Sequence, residues 1–214
     1  MMMKNNKDNA IILLSGGLDS LVTTAYAKNK FNIKKALHFD YGQKPAKKEL
    51  EACRKICEYY NIELEIIKLD WLEKIIAQGN PENNTTKSYW IPNRNALFAN
   101  IAACFAEALD CKTIIIGANK EEAKKFKDNS KKFIKAATKL FSNSTQNCVN
   151  LYAPLVSMNK EKIIKTAFEL KAPLELVWSC YENNQKHCGV CPSCLLLKNA
   201  LIKNNKNDLQ KMLF

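Results

Sequence analysis

The sequence predicts an α/β protein: an open, mostly parallel five-stranded sheet with helices on both faces, followed by a small C-terminal metal-binding segment. Three observations predict it. Five short apolar runs of strand length alternate with stretches of helical periodicity. The runs are continuous rather than alternating apolar and polar, as in strands buried on both faces. A glycine-rich turn follows the first run directly, where an open α/β sheet places its ligand loop.

The elements follow in order. Ala10–Leu14 (AIILL) is the first strand, and SGGLDS turns the chain into a helix over Leu21–Asn29. Lys35–Phe39 (KALHF) is the second strand. Pro45–Tyr60 is a helix that opens on a proline, which fits a first turn. Leu64–Leu69 is the third strand and Trp71–Ala77 a short helix. Gln78–Asn93, with Gly79, Pro81, Pro92 and several asparagines, predicts a long loop that closes over substrate. Asn95–Leu109 is an alanine-rich helix that Asn95 could cap, and Thr113–Gly117 (TIIIG) is the fourth strand. The lysine-rich stretch Glu121–Leu140 carries a helix in its second half, and Val149–Leu155 is the fifth strand. Asn159 caps a helix to Leu170. A compact cysteine loop, Cys180–Cys194, precedes a last helix from about Leu195. No repeat or linker divides the chain, so it reads as one domain over 1–214, with 178–214 as an appended segment.

Composition narrows the function. With 214 residues, 47% hydrophobic and 25% charged, the chain can bury a core and is not of disordered composition. No apolar run approaches the ~20 residues of a membrane span. The opening Met1–Asn9 is polar and lacks a secretory signal, so a cytoplasmic location is expected. The net charge of +12 comes from lysines scattered through every segment, with no arginine stripe. That pattern reads as solvated helix faces rather than a nucleic-acid interface. Nine cysteines, an odd number, argue against a disulfide framework. Cys53, Cys57, Cys104, Cys111 and Cys148 read as small buried hydrophobes. His38, inside a strand, reads as a satisfied core histidine.

Two motifs carry chemistry. In Ser15-Gly16-Gly17-Leu18-Asp19-Ser20 the glycines let the backbone come close to a ligand. The helix start offers unpaired N–H groups, and the serines add hydroxyls, so the turn is an anion cradle. It is neither a Walker loop nor G-x-G-x-x-G. The second motif is Cys180, Cys188, Cys191 and Cys194, spaced C-x7-C-x2-C-x2-C with Gly189 and Pro192 in the turns. Four thiolates suit a closed, structural Zn²⁺ site. An iron–sulfur cluster is an alternative, and His187 could replace Cys180; otherwise His187 is solvent-exposed or beside the ligands.

SGGLDS after an apolar strand resembles the PP-loop of the ATP pyrophosphatase superfamily, whose fold is adenine nucleotide alpha hydrolase-like. The resemblance implies cleavage of ATP between its α and β phosphates and transfer of AMP to a substrate oxygen. Leu14, Ser15, Gly16, Gly17, Leu18, Asp19 and Ser20 would hold the nucleotide, with Asp19 placing Mg²⁺ and Asp19 and Ser20 counted as catalytic. From about Ala10 to Lys198 the chain further resembles the 7-cyano-7-deazaguanine synthase family, on LLSGGLDS, FDYGQK, IPNRN ending at Asn95, GANKEE, WSCY and CGVCPSC.

That resemblance implies a ligase using two ATP. AMP activates the carboxylate of 7-carboxy-7-deazaguanine, ammonia displaces it, and a second AMP on the amide oxygen leaves to give a nitrile. It also implies one Zn²⁺ on the four cysteines and a homodimer. Asp40, Tyr41 and Gln43 would border the adenosine or the substrate, and Arg94 would meet phosphate or carboxylate. The family stretch S-G-Y-P-D-C-R stands here as KKFKDNS, Lys124–Ser130, keeping only the aromatic and the acid at Phe126 and Asp128. The residues leave other readings open: a tRNA-thiolating PP-loop enzyme, a non-catalytic nucleotide-binding module, or a zinc-dependent nucleic-acid binder. No residue of the sequence presents itself as a general base.

Overall fold

The computed structural model describes residues 7–77 and 91–214. Five strands form one sheet: β1 (Asn9–Leu13), β2 (Asn32–Asp40), β3 (Leu64–Lys68), β4 (Thr113–Ile115) and β5 (Asn150–Tyr152). Their order is β3-β2-β1-β4-β5, and each neighbouring pair is parallel. β1 is central, with Ile12 opposite Ala36 on one side and Ile115 on the other.

The helices are α1 (Leu18–Lys30), α2 (Ala46–Tyr60), α3 (Asp70–Ala77), α4 (Arg94–Ala108), α5 (Lys120–Ala123), α6 (Lys131–Ser144), α7 (Lys160–Glu169), α8 (Pro192–Lys203) and α9 (Asn207–Leu213). Alternation along β1 sends Ala10, Ile12 and Leu14 toward Leu21 of α1, Ile56 of α2, Ile163 of α7 and Leu197 of α8. Ile11 and Leu13 face the opposite way, against Leu72, Phe98, Ala102 and Phe141 of α3, α4 and α6. A continuous apolar run is therefore the natural sequence of this strand, because both of its faces are covered. The small residues Ala99, Ala102, Ala103 and Ala106 let α4 lie close on the sheet.

Several boundaries move. α1 begins at Leu18, inside the glycine turn, and α8 begins at Pro192, so Cys191 and Cys194 sit at a helix start. The first half of the lysine-rich stretch holds α5 and a 3-10 turn at Lys127–Asn129. Of the predicted loop Gln78–Asn93, residues 78–90 lie outside the described residues. Two cysteines are exposed rather than buried: Cys104, which lies off the buried face of α4, and Cys148, in the turn before β5 with φ +54°.

The chain order reverses about β1, which pairs with β2 on one side and β4 on the other. Connections leaving β1 and β4 diverge there and open a crevice at their carboxyl ends.

Candidate active site

The crevice is a cleft of about 220 Å³, many times what one buried water needs. Its floor is the glycine turn. Gly16 takes φ +80°, and a Cβ there would lie 2.7 Å from the Glu49 carbonyl, so α2 packs against the turn only because residue 16 is glycine. The Gly16 carbonyl accepts from Trp178 N at 2.8 Å, and Leu18 N donates to Ser179 Oγ at 3.1 Å. The WSCY segment thus clamps the turn, and Ser179 supplies the side-chain oxygen at the α1 N-terminus that Gly17 cannot. Ser20 Oγ donates to the Gly17 carbonyl at 3.0 Å and lies 3.3 Å from Ser15 Oγ.

Beside the turn stands a buried charge cluster. Asp19 Oδ2 accepts from Lys160 Nζ at 2.6 Å and from Asn119 Nδ2 at 2.7 Å. Lys160 also lies 3.5 Å from Glu122. Burial disfavours the Lys160 ammonium, yet Asp19 and then Glu122 outweigh it and keep the group above the ordinary lysine range. Asp19 Oδ1 is buried without a hydrogen-bond partner. That open carboxylate oxygen, beside a phosphate cradle, fits a hard cation such as Mg²⁺.

The opposite wall is aromatic and cationic. Arg94 Nη1 donates to Tyr41 Oη at 2.9 Å, and its guanidinium lies 5.7 Å from the Tyr41 ring centroid and 6.0 Å from that of Phe98. Phe98 stacks on Phe39 at 4.0 Å. Burial works against the Arg94 charge, but Tyr41 holds it above the usual arginine value. Gln43 closes the turn after β2: its Oε1 accepts from Tyr41 N, and its Nε2 donates to the Phe39 carbonyl and to Glu49 Oε2 at 2.8 Å. Burial pushes the Glu49 carboxyl up to about 7, against the hydrogen bond from Gln43 and the charge of Arg94.

Leu14, Ser15, Gly17, Leu18, Asp19, Ser20, Tyr41, Gln43 and Arg94 all line this cleft. Gly16 and Asp40 do not. Gly16 lies behind the turn, and Asp40 Oδ1 accepts from Gly42 N, a local turn contact. Phe126, Asp128 and Asn129 of the KKFKDNS segment line it too. Asp128 Oδ2 accepts from Asn95 N, so this acid, and not Asn95, supplies the cap of α4.

His38 departs from the core reading. Its Nδ1 lies 3.1 Å from the Leu14 carbonyl, but its Nε2 is buried without a partner, and the ring lines the cleft. Sequence reasoning gave no role to Glu49, Asn119, Glu122, Lys160 or Ser179, although GANKEE and WSCY contain three of them. Lys160 carried one signal: it opens α7, at the end of a helix dipole that disfavours a cation.

The four cysteines converge, with their sulfurs within 4.8 Å of one another. A tetrahedral ion at ~2.3 Å from each sulfur would set them about 3.8 Å apart, and Cys188 Sγ and Cys194 Sγ lie 3.9 Å apart. Backbone N–H groups of Glu182, Cys188, Cys191 and Cys194 point at cysteine sulfurs, which favours thiolates. His187 is buried, not solvent-exposed. Its Nε2 accepts from Ser179 N at 3.0 Å and its Nδ1 faces the Leu213 carbonyl, so neither nitrogen is left for a metal. It links the cysteine segment to the Ser179 clamp instead.

A parallel sheet with a glycine turn after its central strand, a buried acid–lysine pair at the following helix and a diverging crevice define a PP-loop nucleotide fold. A solved structure of the U34-tRNA thiolase NcsA from Methanococcus maripaludis shares that fold, with a TM-score of 0.54 and 18% identity over 97% of this chain and 70% of that one. Residues 9–205 match the family described as queuosine biosynthesis protein QueC, and the chain belongs to that family. It is 42% identical to the 7-cyano-7-deazaguanine synthase of Methanosarcina barkeri, over 91% of this chain and 96% of that one. It is also 42% identical to the enzyme of that name from Carboxydothermus hydrogenoformans, over 90% of this chain and 98% of the relative.

Proposed function

We propose that the chain is an ATP-dependent carbon–nitrogen ligase that converts 7-carboxy-7-deazaguanine and ammonia to 7-cyano-7-deazaguanine, releasing AMP and pyrophosphate. The observation that carries this reading is one cleft holding the glycine turn, the Asp19–Lys160 pair and Arg94, in a member of this family.

Carboxylates are poor electrophiles, and binding phosphate groups in a fixed geometry is what this site can do. The Gly17 amide and the Ser15 and Ser20 hydroxyls face the pyrophosphate, while Ser179 holds the Leu18 amide, and Lys160 offsets the phosphate charge. Arg94, hydrogen-bonded to Tyr41, orients the substrate carboxylate or the α-phosphate. Asp19 Oδ1 is the oxygen that would hold Mg²⁺, which neutralises phosphate charge when bound. Cys180, Cys188, Cys191 and Cys194 would hold Zn²⁺ with no open position, a structural staple of segment 178–214 to a single domain. Compact sulfur spacing favours one ion over a cluster, which interposes several irons between its cysteines.

We further read the enzyme as a cytoplasmic homodimer. Among the described residues no helix is long and apolar enough to cross a membrane. Leu195 and Ile202, exposed and seven residues apart on α8, offer an apolar contact face. A tRNA-thiolating role is disfavoured because no cysteine lines the cleft among the described residues.

The test is turnover with purified protein, ATP, Mg²⁺, ammonia and 7-carboxy-7-deazaguanine, read by mass spectrometry. Nitrile and AMP formed together are expected. ATP binding without nitrile would refute the reading and turn attention to the KKFKDNS wall of the cleft.

A further inference from the structure

The nitrile-forming reading leaves protons to be placed. Ammonia brings three N–H bonds and the nitrile nitrogen keeps none. One proton leaves when nitrogen attacks the acyl adenylate, the C–N bond forms and AMP departs with the C–O electrons. Two more leave as the amide, activated at oxygen by the second AMP, loses AMP and its N–H electron pairs become C≡N bonds. No oxidant is involved, but a base beside the reacting nitrogen is required.

Four carboxylates line the cleft among the described residues: Asp19, Glu49, Glu122 and Asp128. Three are committed. Asp19 and Glu122 face Lys160, and Asp128 caps α4. Glu49, on the first turns of α2, has no cation within ion-pair distance among the described residues. Its carboxyl accepts a hydrogen bond from Gln43, at Oε2, and Gln43 is itself fixed to the backbone of Tyr41 and Phe39. The α2 backbone at Glu49 abuts the glycine turn, so the carboxyl lies beside the phosphate cradle and across from Arg94.

We propose that Glu49 accepts the protons released as nitrogen is converted from ammonia to amide to nitrile, with Gln43 as its positioning residue. This rests on the nitrile-forming reading. The groups facing it are Arg94 from α4, Asp40 at the end of β2 and Tyr41 just after it, Cys53 one turn along α2, and His38 on β2 beyond Cys53. Burial outweighs Gln43 and Arg94 and brings the carboxyl to about 7, where it is both available and basic enough at neutral pH.

The experiment starts from the carboxamide, which needs ATP but no ammonia, so ammonia's own ionisation does not enter. Wild-type nitrile formation should rise with pH through about 7. Glu49→Gln should lower that rate by ~10²–10⁴ and abolish the acid limb, while carboxylate-dependent exchange of labelled pyrophosphate into ATP persists. Glu49→Asp, a carboxylate one methylene shorter, should keep the limb at a reduced rate. Wild-type turnover by E49Q would overturn the proposal, as would exchange falling in parallel with nitrile formation. A limb that survives E49Q but disappears in His38→Gln would assign the base to His38 instead. Failure of the wild-type protein to convert the carboxamide would bring down the ligase reading itself, and this proposal with it.

Discussion

Gly117, two residues beyond β4, tests whether the glycine turn is held in place by the sheet. Its replacement by alanine would put a Cβ 2.9 Å from Ser20 N, 3.0 Å from the Asp19 carbonyl carbon and 3.1 Å from Ser20 Cα. All three are backbone atoms of the α1 start, so no flexible side chain can move aside. Ordinary contact begins near 3.4 Å, so the first turn of α1 must retreat by about half an ångström. Overpacking of this kind costs ~1–3 kcal/mol. Alanine regains ~0.4–1 kcal/mol by restricting the unfolded chain. The net loss of ~1–2 kcal/mol should lower Tm by roughly 2–8 °C for a domain of this size. Misplacement by a full ångström can cost ~10²-fold in rate, so half that should cost about tenfold. Thermal melting and pyrophosphate release measured on one preparation check both numbers. A Gly117→Ala protein with raised Tm and unchanged turnover would refute the claim that β4 positions Asp19 and Ser20.

Four further outcomes follow from the same geometry. Lys160→Met leaves Asp19 buried without its cation and should cost about 3–5 kcal/mol in denaturant unfolding. Asp19→Asn should cost less, because Lys160 keeps Glu122 at 3.5 Å. Cys191→Ser keeps an N-cap for α8, since serine caps as well as the sulfur that now accepts from Cys194 N, so it isolates the metal. Metal analysis should find the ion lost, and a chelator that lowers the wild-type Tm should leave the variant unmoved. Glu49 makes stability depend on pH. Its carboxyl is raised in the fold, from 4.5 to about 7, so the stability it gives is complete below 4.5 and is lost as pH rises through 7. The shift sets an upper bound of ~3 kcal/mol, and ~1–2 kcal/mol is expected after relaxation and water entry. Glu49→Gln should therefore melt above wild type at pH 8, with the difference vanishing toward pH 5. A difference independent of pH would contradict the raised carboxyl.

The Glu49 and Lys160 outcomes share a cause. The cleft keeps charged groups in a half-dry place where water would otherwise screen them, and stability is given up for that arrangement. Lys160 opens a helix at the wrong end for its charge, and Asp19 keeps an oxygen with no hydrogen-bond partner. Such local costs mark a site shaped for a ligand rather than for stability.

Much of this protein was legible in its sequence. Strand number and type follow from continuous apolar runs, because strands covered on both faces have no polar side to show. SGGLDS and the four cysteines could be read because their chemistry is local: a tight turn and two-residue spacers bring the groups together within one short segment. Only the tertiary structure decided the rest. Strand order, the crevice beside β1 and the faces of the helices depend on how distant segments pack. Asn119 and Lys160 reach Asp19 across 100 and 141 positions, and Ser179 reaches Leu18 across 161. Nothing in the local pattern of a lysine, an asparagine or a glutamate tells whether it will be solvated or buried against a partner. That is why the glycine turn was visible at once, while the groups that charge it, clamp it and place a carboxyl beside it were not: their roles arise from contacts that exist only after the sheet has assembled.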